Sequence, residues 1–82
     1  MLLTIDVGNT NISMGILDGE NIIGRYRLMT QTTRTSDEYG FFITTFLNTL
    51  ELKASDIKGT IISSGVPKLM YSLTSAVIKY LH

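Results

Sequence analysis

Cysteine and tryptophan are missing from this sequence of 82 residues, which also has only one proline, one histidine and no net charge. Without cysteine, the chain can form no disulfide, no thiolate metal site and no thiol nucleophile. Seven basic residues balance seven acidic ones, so no basic stripe is available to neutralise the phosphates of a nucleic acid or of an anionic membrane. These absences favour a small molecule as the partner.

Long apolar runs are also absent. The apolar start, MLLTIDVG, lacks the basic residues of a signal peptide, and Asp6 interrupts it too early for a membrane-spanning helix. Hydrophobic residues make up 44% of the chain, which suits one small domain that buries about 60% of the surface of its unfolded chain. We therefore expect a cytoplasmic protein with a thin core and with neither a membrane nor a nucleic acid as partner.

Alternation of apolar and polar residues predicts three strands at the start of the chain. Residues 2–7 alternate, residues 12–18 repeat the alternation, and Asp-Gly-Glu at 18–20 is typical of a tight turn. The return strand, residues 21–30, completes three antiparallel strands. The residues of this strand that we expect on one apolar face are Ile22, Gly24, Tyr26 and Leu28.

A helix follows these strands. Thr35 and Glu38 fit a capping box, in which each side chain bonds the backbone N–H of the other residue. Apolar residues then recur at helical spacing, which predicts an amphipathic helix over about residues 36–51. Residues 53–58, KASDIK, are interpreted as a polar connection.

Residues 59–65, GTIISSG, predict a fourth strand that lies parallel to a neighbour, because a helix precedes it. Pro67 is suited to the first position of a second helix, whose apolar pattern continues to His82 without a C-cap glycine or asparagine. The predicted fold is α/β, in the order βββαβα, with a mixed sheet of three antiparallel strands and then a parallel one. Because a further strand is expected after the second helix, we expect an incomplete domain.

The stretch IDVGNTN, residues 5–11, places a carboxylate, a glycine and three small polar side chains where the first strand ends. One interpretation is a hairpin turn in which Gly8 and Asn9 adopt positive φ. The other is a ligand site, because a turn needs only two such residues. Gly8 would let the backbone approach a phosphate closely. Asp6, which would repel phosphate, is suited to holding a Mg²⁺ that bridges the phosphates of a nucleotide.

The remaining charged residues are explained without a site. Arg25, Arg27 and Arg34 are interpreted as solvated basic residues rather than as phosphate ligands. Asp37 and Glu38 lie at a helix start, where capping and the helix dipole favour carboxylates. We therefore expect a structural role for both carboxylates rather than acid–base catalysis.

Four stretches together resemble the N-terminal part of the type III pantothenate kinase family. They are DVGNTN at 6–11, GILDGENIIGRYRL at 15–28, RTSDEYG at 34–40 and IISSGVP at 61–67. They occur in the order of the family and cover essentially the whole chain, whereas the first alone would indicate only the wider superfamily of acetate kinases, sugar kinases, heat-shock chaperones and actin. Gly65 departs from the family, which more often has a bulky aliphatic residue there.

This resemblance implies an actin-like fold, of which residues 1–82 are the first, RNase H-like domain. It implies transfer of the γ-phosphoryl group of ATP to pantothenate, the first step of coenzyme A biosynthesis. Residues 6–13, called here the candidate loop, would bind the phosphates of ATP, with Asp6 also holding Mg²⁺. The implied binding residues are Asp6, Val7, Gly8, Asn9, Thr10, Asn11, Ile12 and Ser13, of which Val7, Ile12 and Ser13 contribute mainly backbone and position.

Other parts of the family's site have no counterpart in this chain. The family's general base is an aspartate in a later Gly-x-Asp-Arg motif, and the pantothenate pocket and a site for K⁺ or NH₄⁺ also fall beyond residue 82. Family members form homodimers with the substrate pocket at the subunit interface, so a second copy is an implied partner. We expect no catalytic residue within the 82 residues and no activity from this chain alone.

Two alternative functions remain. An RNase H-like nuclease also has an aspartate on its first strand, but it needs several carboxylates around two metal ions, and the fourth strand offers Ser63 and Ser64 instead. A non-enzymatic accessory or regulatory protein of the same family would keep the candidate loop and lack the catalytic aspartate. The 82 residues are compatible with this second alternative as well as with a kinase.

Overall fold

A computed structural model describes residues 1–81, so the prediction that the second helix continues to His82 lies outside the described residues. The observed order is βββαβα, as predicted, with a short 3₁₀ turn before the fourth strand and another before the second helix. The strands and helices are β1 (Leu2–Val7), β2 (Asn11–Asp18), β3 (Asn21–Met29), α1 (Ser36–Thr49), β4 (Gly59–Ser64) and α2 (Met70–Leu81).

The four strands form one mixed sheet in the spatial order β3-β2-β1-β4. β1 pairs antiparallel with β2 and parallel with β4, so that Ile5 lies between Met14 and Ile62. The helix α1 provides the crossover that a parallel pair requires. The predicted mixed sheet is therefore confirmed.

One face of this sheet carries the core. Leu3, Ile5 and Val7 of β1 are almost completely buried together with their partners on β2. Buried side chains of both helices belong to the same cluster, so α1 and α2 lie on this face. The alternate residues of β1, including Thr4 and Asp6, point to the opposite face, which we call the open face. Asp6 is exposed there.

A β-bulge interrupts the pairing of β2 with β3. Ile16 pairs with Gly24 while Leu17 pairs with Ile22, which leaves Ile23 as the extra residue of β3. Because a slip of one residue turns side chains to the other face, Ile22 lies across the sheet from the core and is 51% exposed. The prediction that Ile22 shares a face with Tyr26 and Leu28 is therefore wrong.

The capping box at the start of α1 is confirmed. The backbone N–H of Thr35 donates to Glu38 Oε1 at 2.9 Å, and the N–H of Glu38 donates to Thr35 Oγ1 at 3.2 Å. These bonds satisfy backbone donors that no helical carbonyl can reach. Glu38 thus has the structural role expected from its position.

The helix α1 ends at Thr49, two residues before the predicted end. Glu51 has a φ of 59°, and the N–H of Leu52 donates to the carbonyl of Leu47 at 2.9 Å. This is a Schellman arrangement, which terminates a helix by placing one residue in the left-handed region. Glycine usually occupies that position, so the presence of a glutamate explains why the sequence predicted a longer helix.

The helices α1 and α2 meet at a glycine. A Cβ on Gly40 would lie 2.1 Å from the ring of Tyr80, so only glycine permits this approach. Lys79 Nζ and the Tyr80 hydroxyl both donate to Asp37 Oδ1, at 2.8 and 2.7 Å, and these bonds lower the pKa of Asp37. Asp37 therefore has a structural role, as predicted, but its partners on α2 were not predicted from its position at the helix start. Neither helix of the described residues is long and apolar enough to cross a membrane.

The connection between α1 and β4 is less polar than predicted. It contains a 3₁₀ turn over Ala54–Asp56, after which Ile57 is buried with 3% of its surface exposed. The backbone also ties this segment to the start of β1, because the N–H of Lys58 donates to the Met1 carbonyl at 2.8 Å. One large apolar residue in a polar run gives no periodic signal, so the burial of Ile57 could not be predicted from the sequence.

Candidate functional site

The candidate loop lies at the end of the sheet where β1 turns into β2. Asp6 and Val7 are the last residues of β1, residues 8–10 form the turn, and residues 11–13 begin β2. The turn is exposed, whereas Val7 and Ile12 are buried opposite each other in the core. The structure therefore brings all eight predicted residues together, with an exposed tip on a buried base.

Within the turn, the backbone N–H of Gly8 donates to the Asn11 carbonyl at 2.9 Å. Among residues 1–81, only Gly19 and Glu51 have positive φ. The interpretation of Gly8 and Asn9 as turn residues with positive φ is therefore wrong. A Cβ on Gly8 would meet the Asn11 carbonyl oxygen at 3.3 Å, a tight contact in which the backbone would have to move by a few tenths of an ångström. A positive φ thus does not account for glycine at this position, whereas this close carbonyl is one structural reason for it.

Three hydrogen bonds hold the candidate loop from outside. The N–H of Gly65, just after β4, donates to the Val7 carbonyl at 2.9 Å. Thr30, just after β3, donates from its N–H to the Thr10 carbonyl at 2.9 Å and from its hydroxyl to the Gly8 carbonyl at 2.7 Å. The loop is therefore tied to both of the strands that flank the β1–β2 hairpin.

Sequence reasoning did not identify Thr30 or Gly65 as residues of the site. Thr30 lies 22 residues from Gly8, and its position opposite Thr10 follows from the register of β2 and β3, in which Asn11 pairs with Met29. No local pattern in the sequence fixes the register of two strands. The departure of Gly65 from the family was visible, but its bond to Val7 follows from the parallel pairing of β4 with β1.

Asp6 lies on the open face between two serines. The strand register places Ser13 of β2 on one side of Asp6 and Ser63 of β4 on the other. A shallow groove on this face is lined by Thr4, Asp6, Ser13 and Arg25, among others. No group of three or more His, Cys, Asp or Glu side chains that could hold a metal occurs among residues 1–81, and the strand neighbours of Asp6 carry neutral hydroxyl groups.

The three arginines have different surroundings. Arg25 and Arg27 are exposed on β3, as expected for solvated residues. Arg34 is half-buried, so the prediction of a solvated residue is wrong for it, and its guanidinium carbon lies 4.9 Å from the centre of the Phe42 ring. A cation–π contact of this kind accounts for Arg34 through packing.

The sequence model of the type III pantothenate kinase family matches residues 2–82. The chain belongs to this family. Among relatives named type III pantothenate kinase, one from Bifidobacterium longum subsp. infantis is 49% identical over 81 residues and one from Agathobacter rectalis is 46% identical over 80 residues. A third, from Geobacillus kaustophilus, is 44% identical over 82 residues.

These type III pantothenate kinases are much longer than the chain. The matches cover 98 to 100% of the chain but only 31 to 32% of each relative, so the chain spans about a third of the curated relatives it matches. The α/β fold with its mixed sheet agrees with the first half-domain of an actin-like ATPase, which confirms the predicted fold class.

In a member of the type III pantothenate kinase family, the donors around Asp6 fit a magnesium ion. Mg²⁺ prefers oxygen ligands and is commonly held by one or two carboxylates, together with water and the phosphates of a substrate. Asp6 is an exposed carboxylate directly before the turn, so it can supply the protein ligand in such a set. No second carboxylate is required for this mode of binding.

Proposed function

We propose that this chain supplies the first phosphate-binding loop of a kinase that transfers the γ-phosphoryl group of ATP to pantothenate, the first step of coenzyme A biosynthesis. The observation that carries the proposal is the candidate loop itself. Its turn is exposed while three hydrogen bonds from Thr30 and Gly65 hold its backbone from behind. A polar loop that is already ordered can bind phosphate without the loss of conformational entropy that a disordered loop would incur.

Each part of the candidate loop has a distinct task in this proposal. Gly8 leaves room for phosphate oxygens to approach the backbone, and the side chains of Asn9, Thr10 and Asn11 donate hydrogen bonds to them. Val7 and Ile12 anchor the loop in the core. Ser13 contributes through its place beside Asp6 on β2.

Asp6 is the proposed metal ligand. When bound, Mg²⁺ would offset the negative charge of the phosphates. Asp6 would hold and orient this ion from the end of β1, because a carboxylate at that position attracts the cation and would repel phosphate without it. Asp6 is thus proposed to bind the nucleotide through the metal.

The family resemblance supplies the rest of the proposal. Residues 1–82 would be the first of two RNase H-like domains, and the general base, the pantothenate pocket and the site for K⁺ or NH₄⁺ would lie in the remainder of a full-length kinase. A second copy would complete the substrate pocket, and the enzyme would act in the cytoplasm, where ATP is available. The 82 residues alone would transfer no phosphoryl group, because they lack the general base.

The nuclease alternative is disfavoured by the surroundings of Asp6. Two-metal nucleases need several carboxylates close together, whereas Ser13 and Ser63 flank Asp6 and residues 1–81 contain no group of three metal-ligating side chains. An accessory role without catalysis remains the second candidate from the resemblance, and activity of the full-length protein separates it from a kinase.

The test replaces Asp6 in a full-length protein that carries these 82 residues. Asp6→Asn is expected to lower the rate of phosphoryl transfer to pantothenate by at least about a hundredfold, because the metal and phosphates lose their charged ligand. Asp18→Asn is the matched control, since Asp18 is an exposed aspartate at the other end of β2. Steady-state kinetics measure the rates, and circular dichroism verifies the fold of each variant.

Three results would contradict parts of the proposal. Near wild-type turnover of Asp6→Asn would remove Asp6 from the site. Equal losses in Asp6→Asn and Asp18→Asn would indicate a general effect on the fold. A full-length protein that binds Mg·ATP but does not phosphorylate pantothenate would favour the accessory role.

A further inference from the structure

Thr30 lies outside the candidate loop and outside every stretch that carries the family resemblance, yet it contacts the loop twice. Its hydroxyl donates to the Gly8 carbonyl at 2.7 Å, one of the shortest side-chain hydrogen bonds found among the described residues. Its backbone N–H donates to the Thr10 carbonyl at 2.9 Å. One residue therefore holds the carbonyls on both sides of Asn9.

These two bonds set the direction of the peptide groups in the turn. In a trans peptide, the carbonyl of one residue and the N–H of the next point in opposite directions, and residues 1–81 contain no cis peptide. Because the Gly8 carbonyl points to Thr30, the Asn9 N–H must point away from it. A carbonyl oxygen would repel a phosphate. This orientation turns the Gly8 carbonyl away from the proposed phosphate and leaves the Asn9 N–H as a donor towards it.

Thr30 is itself held in place by the core. The next residue, Gln31, accepts a hydrogen bond through its carbonyl from the hydroxyl of Tyr39 at 3.1 Å. Tyr39 lies on α1 and is completely buried. The Tyr39 hydroxyl therefore fixes the backbone next to Thr30, and the Thr30 hydroxyl in turn fixes the Gly8 carbonyl.

From this geometry we infer that Thr30 is a positioning residue, which orients the Gly8–Asn9 peptide so that the Asn9 N–H binds a phosphate oxygen of the nucleotide. This inference rests on the proposed function, since it assigns a task within the same site. Thr30 does not touch the nucleotide. It acts through the hydroxyl bond to Gly8, whereas its backbone bond to Thr10 does not depend on the side chain and would persist in any variant that keeps the N–H.

The experiment compares Thr30→Val with Thr30→Ser in a full-length protein that carries these residues. Valine keeps the branched shape but removes the hydroxyl, whereas serine keeps the hydroxyl. Thr30→Val is expected to raise the KM for ATP about three- to tenfold, the effect of one lost hydrogen bond, and Thr30→Ser is expected to restore it. The KM for pantothenate at saturating ATP should not change.

Thr33→Val is the matched control, because Thr33 is an exposed threonine of the same connection and none of the hydrogen bonds of the candidate loop involves it. Thermal melts measure the stability of each variant, and Thr30→Ala replaces Thr30→Val if the valine variant does not fold. Amide hydrogen exchange of residues 8–11 adds a direct reading of the loop. Faster exchange in Thr30→Val, but not in Thr30→Ser, is expected.

The outcomes separate this inference from the proposed function. An active wild-type protein whose KM for ATP is unchanged in Thr30→Val would overturn only the inference, as would a valine variant that lost stability without losing ATP affinity. A wild-type protein that binds no Mg·ATP would overturn the proposed function and, with it, the inference.

Discussion

The β1–β2 and β2–β3 turns of the sheet are both short and both contain a glycine, but they are built differently. Gly19, between β2 and β3, has a φ of +63°, and a Cβ placed there would meet nothing within 4 Å. Gly8, between β1 and β2, has no such φ, and the backbone around it is bonded to Thr30 and Gly65. Gly19 thus serves a positive φ, whereas Gly8 has an ordinary φ and lies where a Cβ would meet the Asn11 carbonyl oxygen at 3.3 Å.

The comparison separates two reasons for a glycine. A positive φ favours glycine because other residues place Cβ too close to the backbone. Where φ is ordinary, a glycine indicates that something else needs the space of the side chain. For Gly8 the Asn11 carbonyl oxygen, 3.3 Å from a Cβ, takes part of this space, and the exposed side of the turn leaves the rest open to the proposed phosphate.

The largest effect that would test this comparison is expected from Gly8→Val. A branched side chain would fill the space proposed for the phosphates, so measurable binding of Mg·ATP should disappear from a full-length protein carrying these residues. The free energy of unfolding should fall by less than about 1 kcal/mol, since no positive φ is strained and only the 3.3 Å contact of the new Cβ with the Asn11 carbonyl oxygen must relax. Calorimetry with Mg·ATP and chemical denaturation measure the two quantities. Retained affinity would show that Gly8 serves the turn alone.

The opposite pattern is expected from Gly19→Val. Placing valine at a φ of +63° should lower the free energy of unfolding by about 1 to 2 kcal/mol. Affinity for Mg·ATP should stay at the wild-type value, because this turn lies at the other end of the hairpin. The variant is therefore also the control for Gly8→Val, and a loss of ATP affinity in it would break the distinction between the two turns.

The smallest effect is expected from Gly65→Val. Gly65 does not have positive φ, and a Cβ there would meet only the Val7 carbonyl oxygen, at an ordinary 3.8 Å. Valine should raise the free energy of unfolding by about 0.5 kcal/mol, because it reduces the freedom of the unfolded chain. The N–H bond to Val7 is kept, so ATP affinity should not change. Denaturation curves of the wild-type protein and of Gly65→Val give the sign of the change in the free energy of unfolding. A lower value for Gly65→Val would contradict the expectation.

The sequence predicted those parts of the fold that depend on local chemistry. Thr35 and Glu38 were sufficient to locate the start of α1, because a capping box is complete within four residues. The alternation of Leu3, Ile5 and Val7 identified the buried face of β1. The eight residues of the candidate loop also lie together as predicted, since they are consecutive in the chain.

Features that depend on distant pairing could not be predicted in the same way. The bulge at Ile23 has no recognisable signal in the strand, and the exposure of Ile22 follows from it. The end of α1 was misplaced because Glu51 occupies a conformation usually taken by glycine. Thr30 was also missed, because its partner Thr10 is fixed by the register of β2 and β3 and not by any local pattern.

The extra residue in β3 also gives the β2–β3 hairpin a tolerance to changes in length. Without Ile23, the pairs on both sides of the bulge, Ile16 with Gly24 and Leu17 with Ile22, would be consecutive steps of a regular ladder. The far end of β3 would keep its partners, so Thr30 would still meet Thr10. A deletion of one residue near the hairpin tip is therefore a change that evolution or a protein engineer can make while the candidate loop stays in register.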